Sequence, residues 1–357
     1  MLGDWAVHSI SVQASSGASA PVLALLHGHS AGAASFADAF DGLSEQFSVY
    51  SMDIPGWGRS EAPEGLLNLD APDVLDSYVE ALEAWRRAIG AEKFFLLGHS
   101  YGGFIATEYA HRFPLRVEGL YLVAPGGMFP IAGATSWIWG LYFKCFPPHR
   151  MSTLLGPWSH LLFKFLFKKM TNRNTNMKLR DYYFQMAVRA KTGSGAFNKF
   201  IEFSHCWTRT RWRVPLAHRV HTLEVPMVLI WGENDQLVGM QYARLLHSTR
   251  AHAGTPLMIV TNGSHNPSHS GRANAFVDAV QRGLEEMATQ QAPDYPETSL
   301  LSMGDCGHDT WWCSCVEHTL QARPSPRVTA ERMQALEDHV SKRLPTDSPR
   351  PHVVLVE

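Results

Sequence analysis

The chain has 357 residues, of which 45% are hydrophobic and 18% charged, and its formal net charge is -2. These values are typical of a folded globular protein and exclude a disordered chain or one that binds nucleic acid through overall positive charge. No uncharged apolar run approaches the roughly 18 residues that span a bilayer, and the first residues lack the features of a secretory signal. We expect a soluble cytoplasmic protein, with peripheral attachment to membranes or lipid droplets as an alternative and the organelle left open.

Short apolar runs alternate with amphipathic segments from Val22 onward. This alternation is typical of parallel strands buried on both faces and covered by helices, and it predicts an α/β fold class with a doubly wound, mostly parallel sheet. The predicted strands are Val22–Leu26, Phe47–Met52, Phe94–Leu97, Val117–Val123, Met227–Trp231 and Leu257–Thr261, with Trp5–Val12 as an edge strand. The predicted helices are Asp73–Ile89, Tyr101–Phe113 and Arg272–Met287.

The alternation breaks between about Gly127 and Val225, where the sequence is rich in Trp, Phe, Met and Lys and shows helical apolar spacing without a convincing strand. This composition indicates a helical cap inserted into the sheet domain. We therefore divide the chain into the first part of the core at 1–126, the cap at 127–225, the second part of the core at 226–290 and a proline-punctuated polar tail at 291–357.

The segment FFLLGHSYGG, residues 94–103, places a G-x-S-x-G sequence directly after an apolar strand and at the start of a helix. This is the context in which the motif forms a sharp turn that exposes a nucleophilic serine. Gly98 and Gly102 lack a Cβ and permit a close approach of strand and helix, and the amides at the helix N-terminus favour negative charge there. The segment predicts a serine hydrolase with Ser100 as its nucleophile.

A serine nucleophile needs a general base, and the base needs a carboxylate that orients it. Asp235 and His265 each follow a predicted strand, in the order that places the acid and then the histidine after Ser100. Glu233 competes with Asp235 as the acid, and His269 competes with His265 as the base. We favour Asp235 because it lies further into the loop after its strand, and His265 because His269 would have to reach back from the start of the closing segment.

The oxyanion formed during acyl transfer needs two backbone N–H donors. We predict that Tyr101 supplies one, as the residue after the nucleophile, and that His29 in the loop LLHGHSAG supplies the other. Gly28 permits the tight path of this loop, and His27 braces it. Asp53, in the loop DIPGWGRS, precedes the serine in sequence, so we expect it to stabilise a loop by hydrogen bonding.

Together these motifs resemble those of the α/β-hydrolase superfamily across roughly residues 20–290; they are HGHSAG, DIPGWGRS, GHSYGG, WGENDQLV and GSHNP. Three further stretches resemble the subfamily of abhydrolase-domain 4 and 5 proteins, which are lysophospholipases, phospholipases and lipid-droplet coactivators; they are PGGMFP, LLGPW and WTRTRWRVPLAHRV. The resemblance implies a phospholipid or other lipid acyl ester as substrate, with catalysis by Ser100, Asp235 and His265.

At two positions a comparison with that subfamily affects the activity that we expect. The coactivator branch has asparagine at the nucleophile position, whereas this chain has Ser100, so the resemblance implies retained catalysis. The subfamily also carries an H-x-x-x-x-D pattern linked to acyltransferase activity, and here Ser270 stands five residues after His265 in place of the aspartate. The sequence therefore favours water over a second lipid as the acyl acceptor.

The cap combines aromatic and aliphatic residues with lysines in WIWGLYF at 137–143 and WSHLLFKFLFKKM at 158–170. This composition is found in helices that lie at a membrane surface, but also in helices packed on a core with their lysines in solvent. Both interpretations stay open for each helix. We hypothesise that Trp158–Lys169 contacts a membrane or lipid droplet, in which case replacing Phe163, Phe165 and Phe167 should weaken binding to liposomes.

The five cysteines do not form a regular disulfide framework, and three of them lie with two histidines in the tail. Their spacing is tighter than that of usual zinc sites, so we predict no metal and no cofactor. Two other functions remain open: a non-catalytic lipid-binding or coactivator protein that has kept the motif, and an aminopeptidase of the prolyl iminopeptidase type. The second would need an acidic cap pocket, and the charged residues of this cap are mostly basic.

Overall fold

The computed structural model describes residues 6–17, 19–127, 147–163, 177–203, 210–214, 217–250, 254–269 and 271–290. All of them belong to one compact unit of the chain, Trp5–Asp294. The tail at 291–357, with its cluster Cys306, His308, Cys313, Cys315 and His318, lies outside the described residues. Within the described ranges, no group of three or more His, Cys, Asp or Glu could hold a metal, and no helix is long and apolar enough to cross a membrane.

Nine strands are present in the described residues: β1 (Ser9–Val12), β2 (Val22–Leu26), β3 (Ser48–Met52), β4 (Phe94–His99), β5 (Val117–Val123), β6 (Ile201–Phe203), β7 (Thr210–Trp212), β8 (Met227–Gly232) and β9 (Leu257–Val260). Seven of these form the main sheet in the order β1-β3-β2-β4-β5-β8-β9. β1 is antiparallel to β3, and the other pairs of this sheet are parallel. The predicted doubly wound, mostly parallel sheet is confirmed.

The helices of the described residues are α1 (Phe40–Leu43), α2 (Ala71–Ala88), α3 (Tyr101–Arg112), α4 (Pro148–Leu155), α5 (Met177–Arg189), α6 (Lys191–Phe200), α7 (Ala217–Thr222), α8 (Met240–Thr249) and α9 (Ala273–Met287). α2 begins where the Asp70 carboxylate accepts a hydrogen bond from the amide of Asp73, which satisfies one of the free N–H groups of the first turn. The predicted helices α2, α3 and α9 are confirmed to within two residues at each end.

Burial explains why the central strands read as continuous apolar runs. Every residue of β4 and β8 is buried, because helices cover both faces of the sheet. On one face, α9 packs Phe276 and Val280 against β5 and β8, within a cluster that also contains Tyr121 and Ile230. On the other face, α2 and α3 are joined by a hydrogen bond of 2.7 Å from the Tyr109 hydroxyl to Glu83 Oε2.

The described residues between β5 and β8, which we call the inserted segment, contain α4 to α7 and a turn of helix at 158–163. They also contain β6 and β7, which form a separate antiparallel two-stranded sheet. The prediction that this interval has no strand is therefore wrong. Each of these strands has three residues, too few to produce a recognisable alternation in the sequence.

One phenylalanine of the inserted segment, Phe163, faces the core and not the solvent. Phe163 is only 4% exposed and packs with Ala31, Tyr183 and Ala187, so the expectation that this side chain takes part in a membrane contact is wrong. Apolar residues follow one another so closely here that their spacing does not distinguish the inner from the outer face. Phe165 and Phe167 lie outside the described residues.

Candidate active site

Ser100 stands at the turn between the end of β4 and the start of α3, with φ 51° and ψ -112°. Positive φ is uncommon for a residue with a side chain and persists where surrounding structure holds it. Here the amide of Ser100 donates to the Val123 carbonyl at 2.9 Å, and its carbonyl accepts from the Gly126 amide at 2.8 Å. The turn is thus fixed on both sides by the backbone of β5 and the loop that follows it.

The glycines around Ser100 are required by close backbone contacts. A Cβ on Gly98 would lie 2.6 Å from the Gly102 carbonyl oxygen, and a Cβ on Gly102 would collide with the Leu26 carbonyl in β2. Any larger residue would separate the strand from the helix and move Ser100. The two glycines therefore have the role that the G-x-S-x-G spacing predicts.

Asp235 and His265 are brought together by the loops after β8 and β9. Nδ1 of His265 lies 2.8 Å from Oδ2 of Asp235, and the Asp235 side chain is fully buried. Its other oxygen, Oδ1, accepts hydrogen bonds of 2.8 Å from the amides of Leu237 and Val238. An acceptor carboxylate requires Nδ1 to carry the proton, so Nε2 is left able to accept one.

The competing residues have other contacts. Glu233 accepts a hydrogen bond from the amide of Asn262 at 2.8 Å and is exposed. His269 is buried, and its Nε2 lies 2.6 Å from the Tyr183 hydroxyl and 2.8 Å from Nδ2 of Asn266. Burial lowers the pKa of His269 to about 3. The structure pairs Asp235 with His265 and places both competitors outside this pair.

His99, the residue before Ser100, connects the turn at Ser100 to the loop that carries His265. Sequence reasoning did not identify it. Its Nε2 donates to the carbonyl oxygen of His265 at 2.9 Å, and the two imidazole rings lie 4.9 Å apart. Burial and the neighbouring His265 hold the pKa of His99 well below its usual value, so the ring is neutral. The signal available in sequence was its position at the end of β4, where side chains point towards the site.

Nε2 of His265 is buried and has no hydrogen-bond partner among the described residues, Ser100 included. The His265 side chain is 16% exposed, so the ring borders solvent while its Nε2 is buried. A missing hydrogen bond between a base and a nucleophile is common when no substrate is bound, because such bonds often form only in the complex.

The loop after β2 runs beside Ser100. A Cβ on Gly28 would lie 3.2 Å from the Ser100 Cβ, which brings the backbone of Gly28 and His29 to the edge of the site. The His29 ring packs on Trp57 and Phe197, at centroid distances of 4.8 and 4.3 Å. Burial, with the nearby His27 and His149, lowers the pKa of His29 to about 3, so this side chain is neutral at physiological pH.

His27 and Asp53 connect the loops beneath His29. His27 Nδ1 donates to the Gly28 carbonyl at 2.8 Å, and its Nε2 accepts from the Ile54 amide at 3.0 Å. The Asp53 carboxylate accepts from the amide of Ala33 at 2.5 Å and contacts Nδ1 of His8 at 2.7 Å. Both side chains are buried and serve to hold loops, which is the role that the sequence predicts for them.

An aromatic cluster lies between α3 and the inserted segment, and sequence reasoning did not identify it. Tyr101 packs on Phe197 at 5.0 Å, and Phe104 packs on Trp212 at 5.0 Å. Trp212 also approaches the site, because a Cβ on Gly126 would lie 3.3 Å from its ring. The cluster is buried, so the surroundings of Ser100 on this side are apolar.

A family described as alpha/beta hydrolase fold matches residues 21–268 of this chain. The relative from Sus scrofa named 1-acylglycerol-3-phosphate O-acyltransferase ABHD5 is 29% identical over 259 residues, which cover 68% of this chain and 72% of the relative. The (Lyso)-N-acylphosphatidylethanolamine lipase of Bos taurus is 29% identical over 231 residues, which cover 59% of this chain and 64% of the relative.

Solved structures with the same fold include a membrane phospholipase A described as a bacterial virulence factor. Its TM-score is 0.59 at 22% identity, over 79% of this chain and 87% of that chain. A putative lipase from Acinetobacter baumannii has a TM-score of 0.60 at 21% identity, over 80% of this chain and 93% of that chain. At these identities the likeness shows the fold alone.

Proposed function

Because the chain belongs to the α/β-hydrolase family, we propose that it is a serine hydrolase that cleaves lipid acyl esters through Ser100, His265 and Asp235. The observation that carries the proposal is the 2.8 Å contact between Asp235 and His265, supported by the hydrogen bond from His99, the residue before Ser100, to the His265 carbonyl. A buried carboxylate on an imidazole next to a serine in a strained turn is the arrangement that nucleophilic acyl transfer needs.

In the first step, Ser100 Oγ attacks the ester carbonyl carbon while His265 Nε2 takes its proton. The tetrahedral intermediate collapses as His265 gives that proton to the leaving alcohol oxygen, and the acyl group remains on Ser100. In the second step, His265 takes a proton from water, the hydroxide attacks the acyl carbon, and Ser100 leaves with the proton from His265. Asp235 stays ionised and stabilises the imidazolium in both steps.

The amides of His29 and Tyr101 are the proposed donors to the oxyanion. Tyr101 is the first residue of α3, where helix N–H groups are free of intrahelical partners. The close approach of Gly28 to Ser100 supports a second donor from the loop after β2. Two such donors lower the barrier because they interact best with the negative oxygen of the intermediate.

The aromatic cluster supports an acyl chain as the group next to the reacting carbon. Tyr101, Phe197, Phe104 and Trp212 are buried and make the surroundings of Ser100 apolar on this side, which suits an acyl chain better than a sugar or a charged peptide. We assign the inserted segment the role of a cap, since α6 and β7 bring two of these side chains over α3. The relatives named for lysophospholipid chemistry make a glycerophospholipid or lysophospholipid the proposed substrate.

Water is the proposed acyl acceptor. The relatives include proteins named as acyltransferases, whereas the fifth residue after His265 is Ser270 and supplies no carboxylate. An assay with a lysophospholipid acceptor present distinguishes the two outcomes: free fatty acid indicates hydrolysis, and a diacyl product indicates transfer.

The test is labelling of the purified full-length protein with a fluorophosphonate, which reacts with activated serines, together with release of fatty acid from lysophospholipid. We expect labelling on the peptide that contains Ser100, and loss of labelling and turnover in Ser100→Ala. Ser248→Ala is the matched control, because its hydroxyl is exposed on α8 and bonds only the Leu245 carbonyl. Lipid binding without labelling of the wild type would favour the non-catalytic alternative.

A further inference from the structure

The inserted segment exposes a compact apolar surface on its outer side. Of the eight large apolar side chains that the described residues expose, five lie within residues 154–162. Leu154 and Trp158 are the most exposed, at 73% and 72%. We call this set the outer face; its members are Leu154, Leu155, Trp158, Leu161 and Leu162.

The helical spacing explains how the outer face forms. Trp158, Leu161 and Leu162 are separated by three and four residues, so they share one side of the turn of helix at 158–163. Leu154 and Leu155 end α4, and Gly156, with φ 52°, turns the chain between the two helical pieces. The five side chains therefore come from one continuous helix-turn-helix.

The same helix-turn-helix is also apolar on its inner side. Met151 and Phe163 are buried, at 6% and 4% exposure, and Phe163 packs against Tyr183. A water-soluble surface helix needs only one apolar side, which it turns to the core. Apolar residues on both sides indicate that the outer face has its own apolar partner.

The charge around the outer face indicates what that partner is. From Gly119 to Arg180 the sequence contains no Asp or Glu, although the whole chain has a net charge of -2. The same stretch has eight basic residues, Lys144, Arg150, Lys164, Lys168, Lys169, Arg173, Lys178 and Arg180. Within the described residues, Arg150, one turn before Leu154 on α4, and Lys178, in the first turn of α5, are exposed. The next acid, Asp181, contacts His160 at 2.9 Å.

We propose that the outer face, Leu154 to Leu162, docks on the surface of an anionic phospholipid membrane. The apolar side chains enter the region between headgroups and acyl chains, Trp158 lies at the boundary where tryptophan is favoured, and the net positive charge of the 119–180 stretch attracts the anionic headgroups. A second copy of the chain would bring the same basic stretch against itself, which disfavours self-association through this face. The docking goes beyond the proposed hydrolysis and does not depend on it.

The test is co-sedimentation of the full-length chain with lipid vesicles. The Ser100→Ala protein is used so that the vesicles are not consumed, and vesicles of phosphatidylcholine alone are compared with vesicles containing about a third phosphatidylserine. We expect stronger binding to the anionic vesicles, and weaker binding when the salt is raised from about 0.1 M to 1 M, because screening shortens from about 10 Å to about 3 Å.

A double substitution and a control distinguish binding through the outer face from binding through any exposed apolar side chain. Trp158→Ser with Leu161→Ser is expected to weaken vesicle binding by about tenfold per side chain. Leu115→Ser is the matched control, since Leu115 is 55% exposed but lies in the turn between α3 and β5. In the Ser100→Ala background, a circular dichroism spectrum and melting temperature equal to those of the parent show that the double variant is folded, and the same double substitution in the chain that keeps Ser100 should hydrolyse a soluble short-chain ester at the parent rate.

Equal vesicle binding by the double variant and the Leu115→Ser control would overturn the proposal. So would a change in oligomeric state on size exclusion that leaves vesicle binding intact, because the partner would then be a second copy. Failure of the proposed hydrolysis would appear separately, as absence of short-chain ester turnover in protein that still binds vesicles.

Discussion

The Tyr183 hydroxyl lies 2.6 Å from Nε2 of His269, so a side chain from α5 of the inserted segment is hydrogen-bonded to the loop that carries the proposed base. Asn266, the residue after His265, donates from its amide to both of these atoms, at 3.0 Å to Tyr183 and 2.8 Å to His269. The network is buried, and it couples the docking of the inserted segment to the conformation of the His265 loop.

We expect Tyr183→Phe to lower the free energy of unfolding by about 1 to 2 kcal/mol, because it removes a buried hydroxyl from a satisfied network. Urea denaturation would measure the loss. Tyr182→Phe is the control: its hydroxyl accepts only from the Ala34 amide at 3.1 Å, which is partly exposed and can turn to water, so the loss should be smaller. Equal losses would contradict a special role for the Tyr183 contact.

Asp235→Asn is expected to reduce kcat for ester hydrolysis by roughly a thousandfold or more. The amide group would face Nδ1 of His265 and favour the tautomer with its proton on Nε2, which cannot accept the proton of Ser100. Steady-state kinetics with a soluble ester measure the effect. Glu233→Gln should stay within about twofold of the parent, and a similar fall in both variants would count against Asp235 as the acid.

His99 is a positioning residue in this arrangement, since it acts through the backbone of His265. His99→Phe should lower kcat by about 10- to 100-fold with KM little changed, because the base loop loses one of its anchors. His99→Gln keeps a donor of similar reach and should recover much of the rate. If glutamine and phenylalanine gave the same kcat, the hydrogen bond to the His265 carbonyl would have no role in catalysis.

The buried neutral His269 makes stability depend on pH. Its pKa in the folded protein is about 3, against 6.5 for an ordinary imidazole, so below pH 6.5 the unfolded chain binds a proton that the folded chain does not. Stability therefore falls with acidification, by about 1 kcal/mol between pH 6.5 and about 5.5 from this group alone. Urea denaturation at both pH values should show a smaller fall in His269→Gln, and identical slopes would show that His269 does not contribute.

The sheet could be predicted closely because its strands are buried on both faces and follow one another between recognisable helices. The turn at Ser100 could be predicted because glycine spacing, strand and helix all lie within ten residues of sequence. The order and position of Asp235 and His265 after their strands were also visible, and the structure brings these two side chains together.

Contacts between distant parts of the chain could not be predicted. The bond from His99 to the His265 carbonyl and the bond from Tyr183 to His269 depend on how loops and helices are placed in three dimensions, which local periodicity does not encode. The burial of Phe163 could not be predicted for the same reason, because in a segment that is apolar on both sides only the packing identifies the side that faces the core.

The backbone conformation of Ser100 lowers the stability of the protein. A residue with a side chain at φ 51° and ψ -112° costs of order 1 to 3 kcal/mol, and glycine at this position would relieve most of that cost. Ser100→Gly is thus expected to give a more stable and inactive protein. Selection for stability alone would not favour a serine in this conformation, and its presence at the turn supports the proposal that Ser100 acts as the nucleophile.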